Sequence, residues 1–416
     1  MARKMKDSGI EWIGEIPEKW EVVKAKYLFA QRNEKGNSAL VLLSPTQKYG
    51  VIPQSQLEGV VQVKENTDLR TFKTIHIGDF VISLRSFQGG FEFSNYEGVC
   101  SPAYQVFHAT KDLSNDFFRY LFKSDGFISK INSLTVGIRE GKNIQYWDFS
   151  NMLLTLPPKE VQIRSAQYLN AKCTEIDTIL SKTRSSIEEY KKLKQAVITQ
   201  AVTKGVRGER EMKDSGVAWI GTYPSNWKII KIKWLLHERK DRSITGLEEP
   251  LSMSQKKGLI PTKDMDSIPN MASSFIGAKL VYKGDLVFNK LKAHLGVFSV
   301  SKYNGLVSPD YAVYHSTGPA NLNFLELLFK TPQYINEFKK KSSGVGAGLT
   351  RLYTGDLYSI YCALPPLVEQ EEIADYLDAK CAEIDKLIAK KEQLVKEMES
   401  YKKSLIYEVV TGKREV

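Results

Sequence analysis

Apolar residues fall on a seven-residue rhythm in two stretches of this chain. The first stretch carries Ala166, Leu169, Cys173, Ile176, Leu180, Ile187, Tyr190, Val197 and Ala201, in steps of three, four or seven. The second carries Ala374, Leu377, Cys381, Ile384, Ile388, Val395, Met398, Leu405 and Val409 in the same steps. Such a rhythm predicts a helix with one apolar stripe, suited to burial against a second such helix. Thr183 and Lys194 interrupt the first stripe, and Lys391 and Lys402 interrupt the second. Leu156-Pro157-Pro158 and Leu364-Pro365-Pro366 open the two stretches. Proline is tolerated there because the N–H groups of a first helical turn have no intrahelical partner. Each helix is expected to run for about 40 residues, about 60 Å at 1.5 Å per residue. The seam between them is assigned to Leu169, Cys173, Ile176, Leu180 and Ile187 on one side and Leu377, Cys381, Ile384, Ile388 and Val395 on the other.

The two stretches are copies. Tyr168–Asp177 matches Tyr376–Asp385 at eight of ten positions, offset by 208 residues in a chain of 416. A repeat of that period sets the architecture before any motif does. Met5-Lys-Asp-Ser-Gly-Ile-Glu-Trp-Ile-Gly14, with Pro17 and Trp20 behind it, starts the first half. Met212-Lys-Asp-Ser-Gly-Val-Ala-Trp-Ile-Gly221, with Pro224 and Trp227, starts the second. The paired tryptophans are expected to anchor a lead-in loop where a helix hands over to a domain.

Residues 21–155 lose the heptads and show short β-rich runs at Leu40–Leu43, Gly59–Val63, Asp79–Ser83 and Tyr104–Phe107, separated by glycine, asparagine and proline turns. Asp116–Ser129 reads as a short helix. The second half repeats this plan: Gly78-Asp79-Phe80-Val81 returns as Gly284-Asp285-Leu286-Val287, and Ser101-Pro102-Ala103-Tyr104 as Ser308-Pro309-Asp310-Tyr311. The expected fold is therefore mixed α+β. Two tandem β-rich domains (residues 1–157 and 206–365) alternate with two helical segments (158–205 and 366–416) that pair antiparallel about a pseudo-twofold axis. Connectivity places the domains at opposite ends of the helix pair.

Scaffold positions repeat, but the polar segments between them differ. Gln47-Lys48-Tyr49 corresponds to Gln255-Lys256-Lys257, and Arg85, Ser86 and Gln88 to Lys290, Lys292 and His294. Arg139, with Lys142 close behind, corresponds to Arg351. Arginine, lysine, glutamine and histidine are side chains that pair with base edges and phosphates. Those fifteen residues are the candidate DNA contacts, and one scaffold used twice would suit two half-sites around an unread gap.

Charge supports a polyanionic partner. The chain carries 59 Lys and Arg against 48 Asp and Glu, for a net charge of +11. No apolar run approaches the roughly 20 residues that span a bilayer, so no membrane role is expected. The opening residues lack the hydrophobic core of a signal peptide, and the four cysteines form no CxxC pair. A cytoplasmic location is expected.

The WIGxxPxxW motif at Trp12–Trp20 and Trp219–Trp227 occurs together with LPP at 156 and 364, Glu369-Gln370, AKCxEID and Val410-Thr-Gly-Lys413. In combination they resemble the DNA-specificity subunit of Type I restriction-modification enzymes, over essentially the whole chain. The first copy departs from the pattern with Lys159-Glu160-Val161-Gln162 after its prolines and Lys204-Gly205 at its end. The resemblance implies two target-recognition domains that read double-stranded DNA. It also implies assembly with two methyltransferase subunits and with restriction/translocase subunits, S-adenosylmethionine, ATP and Mg being held by those partners.

Two other readings compete. No GxxxxGK[ST] loop is present, and neither Leu-Pro-Pro-Lys nor Leu-Pro-Pro-Leu is an amino-methyltransferase turn. Asp310 with Glu337-Phe-Lys339 mimics the acidic pattern of a metal-dependent endonuclease, but the first copy has Ala103 at the position of Asp310. No catalytic or metal-binding residue is therefore assigned. A coiled-coil adaptor without DNA recognition would explain the helices but not the diversified loops.

Overall fold

The computed structural model describes residues 3–35, 40–57, 69–83, 89–133, 144–255, 257–267, 274–344 and 350–416. The chain is α+β and divides into two compact units: Met1–Arg184 with Gln393–Val416, and Ser185–Glu392. Both boundaries fall inside the long helices, so each unit owns one β-rich domain and a part of each helix.

The first unit holds α1 (Asn115–Phe122), α2 (Asp125–Ser133) and α3 (Tyr146–Ser150), and the long α4 (Lys159–Lys204) starts in it. The second holds α5 (Leu322–Phe329), α6 (Pro332–Lys341) and α7 (Thr354–Ser359), and the long α8 (Leu367–Val410) starts in it. The two long helices have 46 and 44 residues. The single helix expected at Asp116–Ser129 is two, α1 and α2, because the chain turns at Lys123–Ser124. There Ser124 is buried and its hydroxyl donates to Leu121 O at 2.7 Å. The strand expected at Leu40–Leu43 lies at Leu43–Thr46, and Gly59–Val63 lies outside the described residues.

Each unit is built on a four-stranded antiparallel sheet with the same strand order. In the first unit the order is Phe29–Arg32, Gln105–Ala109, Phe80–Ile82, Phe91–Phe93. In the second it is Leu236–Glu238, Tyr311–Ser316, Leu286–Asn289, Phe298–Val300. Side chains alternate across a strand, so Phe29 and Phe107 point to one face, where Phe118, Phe122 and Phe149 from the helices join them. Phe80 and Phe107 stack with centroids 5.3 Å apart. Phe288 and Phe298 do the same in the second unit at 4.3 Å. Aromatic pairs of this kind contribute about 0.5–1.5 kcal/mol beyond their burial.

A buried ion pair pins the same corner of each sheet. Asp79 accepts from Arg32 Nε at 2.7 Å and Nη2 at 3.1 Å, and from the His76 N–H at 2.9 Å. Its twin Asp285 accepts from Arg239 at 2.8 and 3.0 Å and from the Tyr282 N–H at 2.9 Å. The preceding glycines, Gly78 and Gly284, sit at φ of 93° and 94°, where an L side chain would be strained.

The glutamine four residues after each proline pair is buried and fastens the start of a long helix to its domain. Gln162 donates to Pro157 O and accepts from the Ser114 N–H, the N-cap of α1. Gln370 donates to Pro365 O and Pro319 O and accepts from the Asn321 N–H, the N-cap of α5. Only the second copy has a glutamate before it. Glu369 is fully buried and takes Arg210 at 2.5 Å, whereas Val161 stands in its place in the first copy. Gly205 and Gly412 end the helices at φ of 79° and 74°. Gly412 lies against Pro17 and the buried Trp20. Lys413 donates to Ile13 O, so the end of α8 is docked on the lead-in loop. In the second unit Lys204 donates to Thr222 O in the corresponding way.

Within each unit the helices run antiparallel. In the first, Lys402 donates to Asp177 at 2.6 Å and Arg184 pairs with Glu399. In the second, Lys194 donates to Asp385 at 2.6 Å and the Lys391 ammonium lies 5.7 Å over the Tyr190 ring. Three of the lysines and threonine that interrupt the stripes are thereby explained: Lys194 and Lys402 bridge to equivalent aspartates, and Lys391 covers an aromatic face. Leu169, Cys173, Ile176, Leu180, Ile187, Leu377 and Ile384 are buried, and Cys381, Ile388 and Val395 are half-buried.

Candidate nucleic-acid interface

In the first unit Gln47, Lys48 and Tyr49 form the exposed turn of the hairpin Leu43–Thr46/Gly50–Pro53. Gly50 at φ 72° closes that turn, and a Cβ there would meet Phe93 O at 2.7 Å. The Lys48 ammonium sits 4.8 Å over the Tyr49 ring, which is 60% exposed. The turn borders a cleft of about 410 Å³ that also receives Arg119, Lys123, Asn170, Asp177 and Lys402. On its floor Glu92 is buried and paired with Lys123 at 2.7 Å, burial pushing its carboxyl above the usual range. Arg85, Ser86, Gln88, Arg139 and Lys142 lie outside the described residues.

The second unit places Gln255 and Lys257 on the matching exposed hairpin turn, with Lys257 paired to Asp266 at 2.7 Å. Lys256 lies outside the described residues. Lys290, Lys292 and His294 follow the strand Leu286–Asn289, with Lys292 exposed and Lys290 and His294 half-buried. Lys290 and Arg351 are brought together, since Lys290 O accepts from the Leu352 N–H at 3.0 Å. Among the described residues no hydrogen bond or ion pair joins Lys257 to either of them.

Two groups of polar residues extend the candidate set, adding Gln31, Gln105, Gln145, Glu238, Lys279 and Thr354, none of which the sequence singles out. In the first unit, Gln31 Nε2 donates to Gln105 Oε1 at 2.5 Å, and Gln105 Nε2 donates to Gln145 Oε1 at 3.4 Å. Gln31 and Gln105 share a face with Phe29 and Phe107, so the apolar face of the sheet ends in a row of amides. In the second unit the same end of the sheet is charged. Glu238 opposes Tyr314 in register just as Gln31 opposes Phe107. It accepts from Lys279 at 2.8 Å and from Thr354 at 2.5 Å. Arg351 donates to Asp310 at 2.9 Å. Burial and the neighbouring Lys279 and Arg351 hold the Lys290 ammonium below its usual range. Burial opposes the Glu238 carboxylate, but the hydrogen bonds and charge of Lys279 and the Thr354 hydroxyl outweigh it and keep the group below its usual range.

Asp310 is thus engaged by Arg351, and Glu337 lies 4.0 Å from Lys340. Among the described residues no three His, Cys, Asp or Glu side chains are grouped to hold a metal ion. Among the same residues no helix is long and apolar enough to cross a membrane.

Taken as a class, the molecule is a duplicated α+β scaffold whose halves keep their cores and ion pairs and change the polar groups at one sheet end. No protein-family model matches the chain. Among curated proteins it is similar to the putative type I restriction enzyme MjaX specificity subunit of Methanocaldococcus jannaschii. The two are 25% identical, over 96% of this chain and 95% of that one. The type I restriction enzyme MjaVIII specificity subunit of the same organism is 21% identical over 96% and 93%. Among solved structures the fold matches a chain from work on complex assembly and conformational transition of the type I R-M system. That match has a TM-score of 0.70 at 16% identity, over 96% of this chain and 99% of that one. The HsdS subunit from Thermoanaerobacter tengcongensis matches with a TM-score of 0.56, also at 16% identity, over 96% and 98%. By sequence along its whole length and by fold, the chain is similar to type I restriction enzyme specificity subunits.

Proposed function

We propose that this chain is the DNA-reading subunit of a type I restriction-modification assembly, with each β-rich domain reading one half of a split double-stranded target. Residues 1–157 and 206–365 are the reading domains, and 158–205 and 366–416 are the helical segments that tie them together. The observation that carries the reading is the repeat itself, in which cores and ion pairs recur while the polar side chains at one sheet end do not. Whole-length similarity to specificity subunits supports it. The chain performs no chemistry of its own. It directs two methyltransferase subunits and the restriction/translocase subunits to the target in the cytoplasm, and S-adenosylmethionine, ATP and Mg belong to those partners. An adaptor that never meets DNA would leave the diversified groups without a use.

Affinity for DNA of random sequence should come from phosphate neutralisation. The logarithm of the binding constant then falls linearly with the logarithm of salt, by about 0.9 for each phosphate contacted. A gel shift of the full chain with random duplex between about 50 and 200 mM salt is expected to show weak, steeply salt-dependent retention. No retention at any salt, or retention indifferent to salt, contradicts the reading.

A further inference from the structure

The two units differ most informatively at one place. The strand end that carries Gln31 in the first unit carries Glu238 in the second, fixed by the same register against Phe107 and Tyr314. The strands paired with them, Gln105–Ala109 and Tyr311–Ser316, both begin at the end of the repeated Ser-Pro-x-Tyr motif. Around this shared position the first unit assembles amides and the second assembles cations.

Amide and guanidinium groups ask for different bases. Adenine shows an N7 acceptor and an N6 donor in the major groove, which a glutamine amide matches with one donor and one acceptor. Guanine shows two acceptors, N7 and O6, which a guanidinium or ammonium matches with donors alone. A glutamine amide has two N–H donors and two acceptor lone pairs, so after the bonds to each other and to Gln145, Gln31 and Gln105 each keep one donor and at least one acceptor site. Those same bonds fix the amide planes, as direct readout requires.

In the second unit the balance is different. Lys279, Lys290 and Arg351 stand against Glu238 and Asp310, a surplus of one positive charge among the described residues of the group. Asp310 takes one of the five N–H donors of Arg351 and so orients the guanidinium plane. The Arg351 Nε–H finds no acceptor among the described residues. The Tyr353 ring lies 5.7 Å from the guanidinium carbon and supports it from one side.

Resting on the proposed function, we propose that the first unit reads an A·T pair through Gln31 and Gln105, and the second reads a G·C pair through Arg351 and Lys290. The scaffold is common, and the half-sites differ because one sheet end is lined by amides and the other by an ion-paired group with one surplus positive charge.

The test uses the full chain purified with the proteins that assemble on it. Duplexes bound from a random pool are sequenced for the parent, Gln31→Ala/Gln105→Ala and Arg351→Ala. The double glutamine variant should lose preference at an A·T position in one half-site. Arg351→Ala should lose preference at a G·C position in the other, each by about 5- to 160-fold in relative affinity. Replacing that guanine by 7-deazaguanine, which lacks the N7 acceptor, should weaken the parent by at least about fivefold and Arg351→Ala hardly at all. Arg351→Lys keeps the charge without the fork and should bind DNA while discriminating less, which covers the case in which the alanine variant fails to fold. Variants that weaken every sequence equally would overturn the assignment, as would loss of the opposite base type, while leaving DNA reading by the chain intact. A parent that selects no sequence would overturn the proposed function and this inference together.

Discussion

Leu169→Asp is expected to unfold the first unit. Leu169 is fully buried where α4 meets the aromatic core, alongside Ile176, Leu180, Leu405 and Val409. Removing the leucine side chain from such a site costs about 2–5 kcal/mol in lost transfer energy and cavity. The carboxylate that replaces it costs several kcal/mol more if it stays charged without a partner, and less if it takes up a proton. Against a total stability of about 5–15 kcal/mol, the sum removes most or all of the folding free energy. Leu193→Asp, at a position on α4 that is 49% exposed, should change stability by no more than about 0.5 kcal/mol. Thermal melts followed by circular dichroism and by tryptophan fluorescence, with Trp20 buried in the same core, separate the two variants. A Leu169→Asp chain that melts with the parent would show that α4 does not complete this core.

The second large effect belongs to the buried aspartates. Asp79→Ala strips Arg32 of a two-pronged partner and leaves the His76 N–H without its acceptor. Asp285→Ala does the same to Arg239 and the Tyr282 N–H. Breaking a buried pair by removing one member costs about 3–5 kcal/mol, because the other charge stays behind. The arginine side chains here keep 21% and 25% exposure, so water relieves part of that and the lower end, about 3 kcal/mol, is expected. Asp177→Ala supplies the contrast, because its pair with Lys402 is exposed and should count for only about 0.2–1 kcal/mol. Urea titrations of the three variants give the comparison directly. Equal losses for Asp79→Ala and Asp177→Ala would mean that the sheet corner does not depend on the ion pair.

What could be read in advance follows the range of the interactions involved. Heptads, proline pairs and repeated tryptophans are local signals, and they located α4, α8 and the docked tryptophans. Lys194 and Lys402 register in the sequence only as breaks in a stripe. Their purpose lies in aspartates 191 and 225 residues away. The split between α1 and α2 is hidden because Phe117, Phe122, Phe127 and Ile131 are all buried on either side of the turn at Ser124, so the apolar pattern carries straight across it. The site was harder still. Loops rich in Arg, Lys and Gln draw attention by composition, yet Arg85, Ser86, Gln88, Arg139, Lys142 and Lys256 fall outside the described residues. Gln31 and Gln105, 74 residues apart, become a pair only through the strand register. Aligning the two halves strand by strand does expose the clue, since glutamine at 31 faces glutamate at 238 beside matched arginines at 32 and 239.

The central claim is that two similar units read two different half-sites. Its most direct test is to sequence the methylated positions in a host that carries the complete system. A second host carries a chain whose residues 21–155 have been replaced by the matching segment of a relative. The account predicts two short specified blocks separated by a fixed unspecified gap, with the replacement changing one block and leaving the other block and the gap unaltered. A single contiguous motif, or a replacement that alters both blocks, would contradict it.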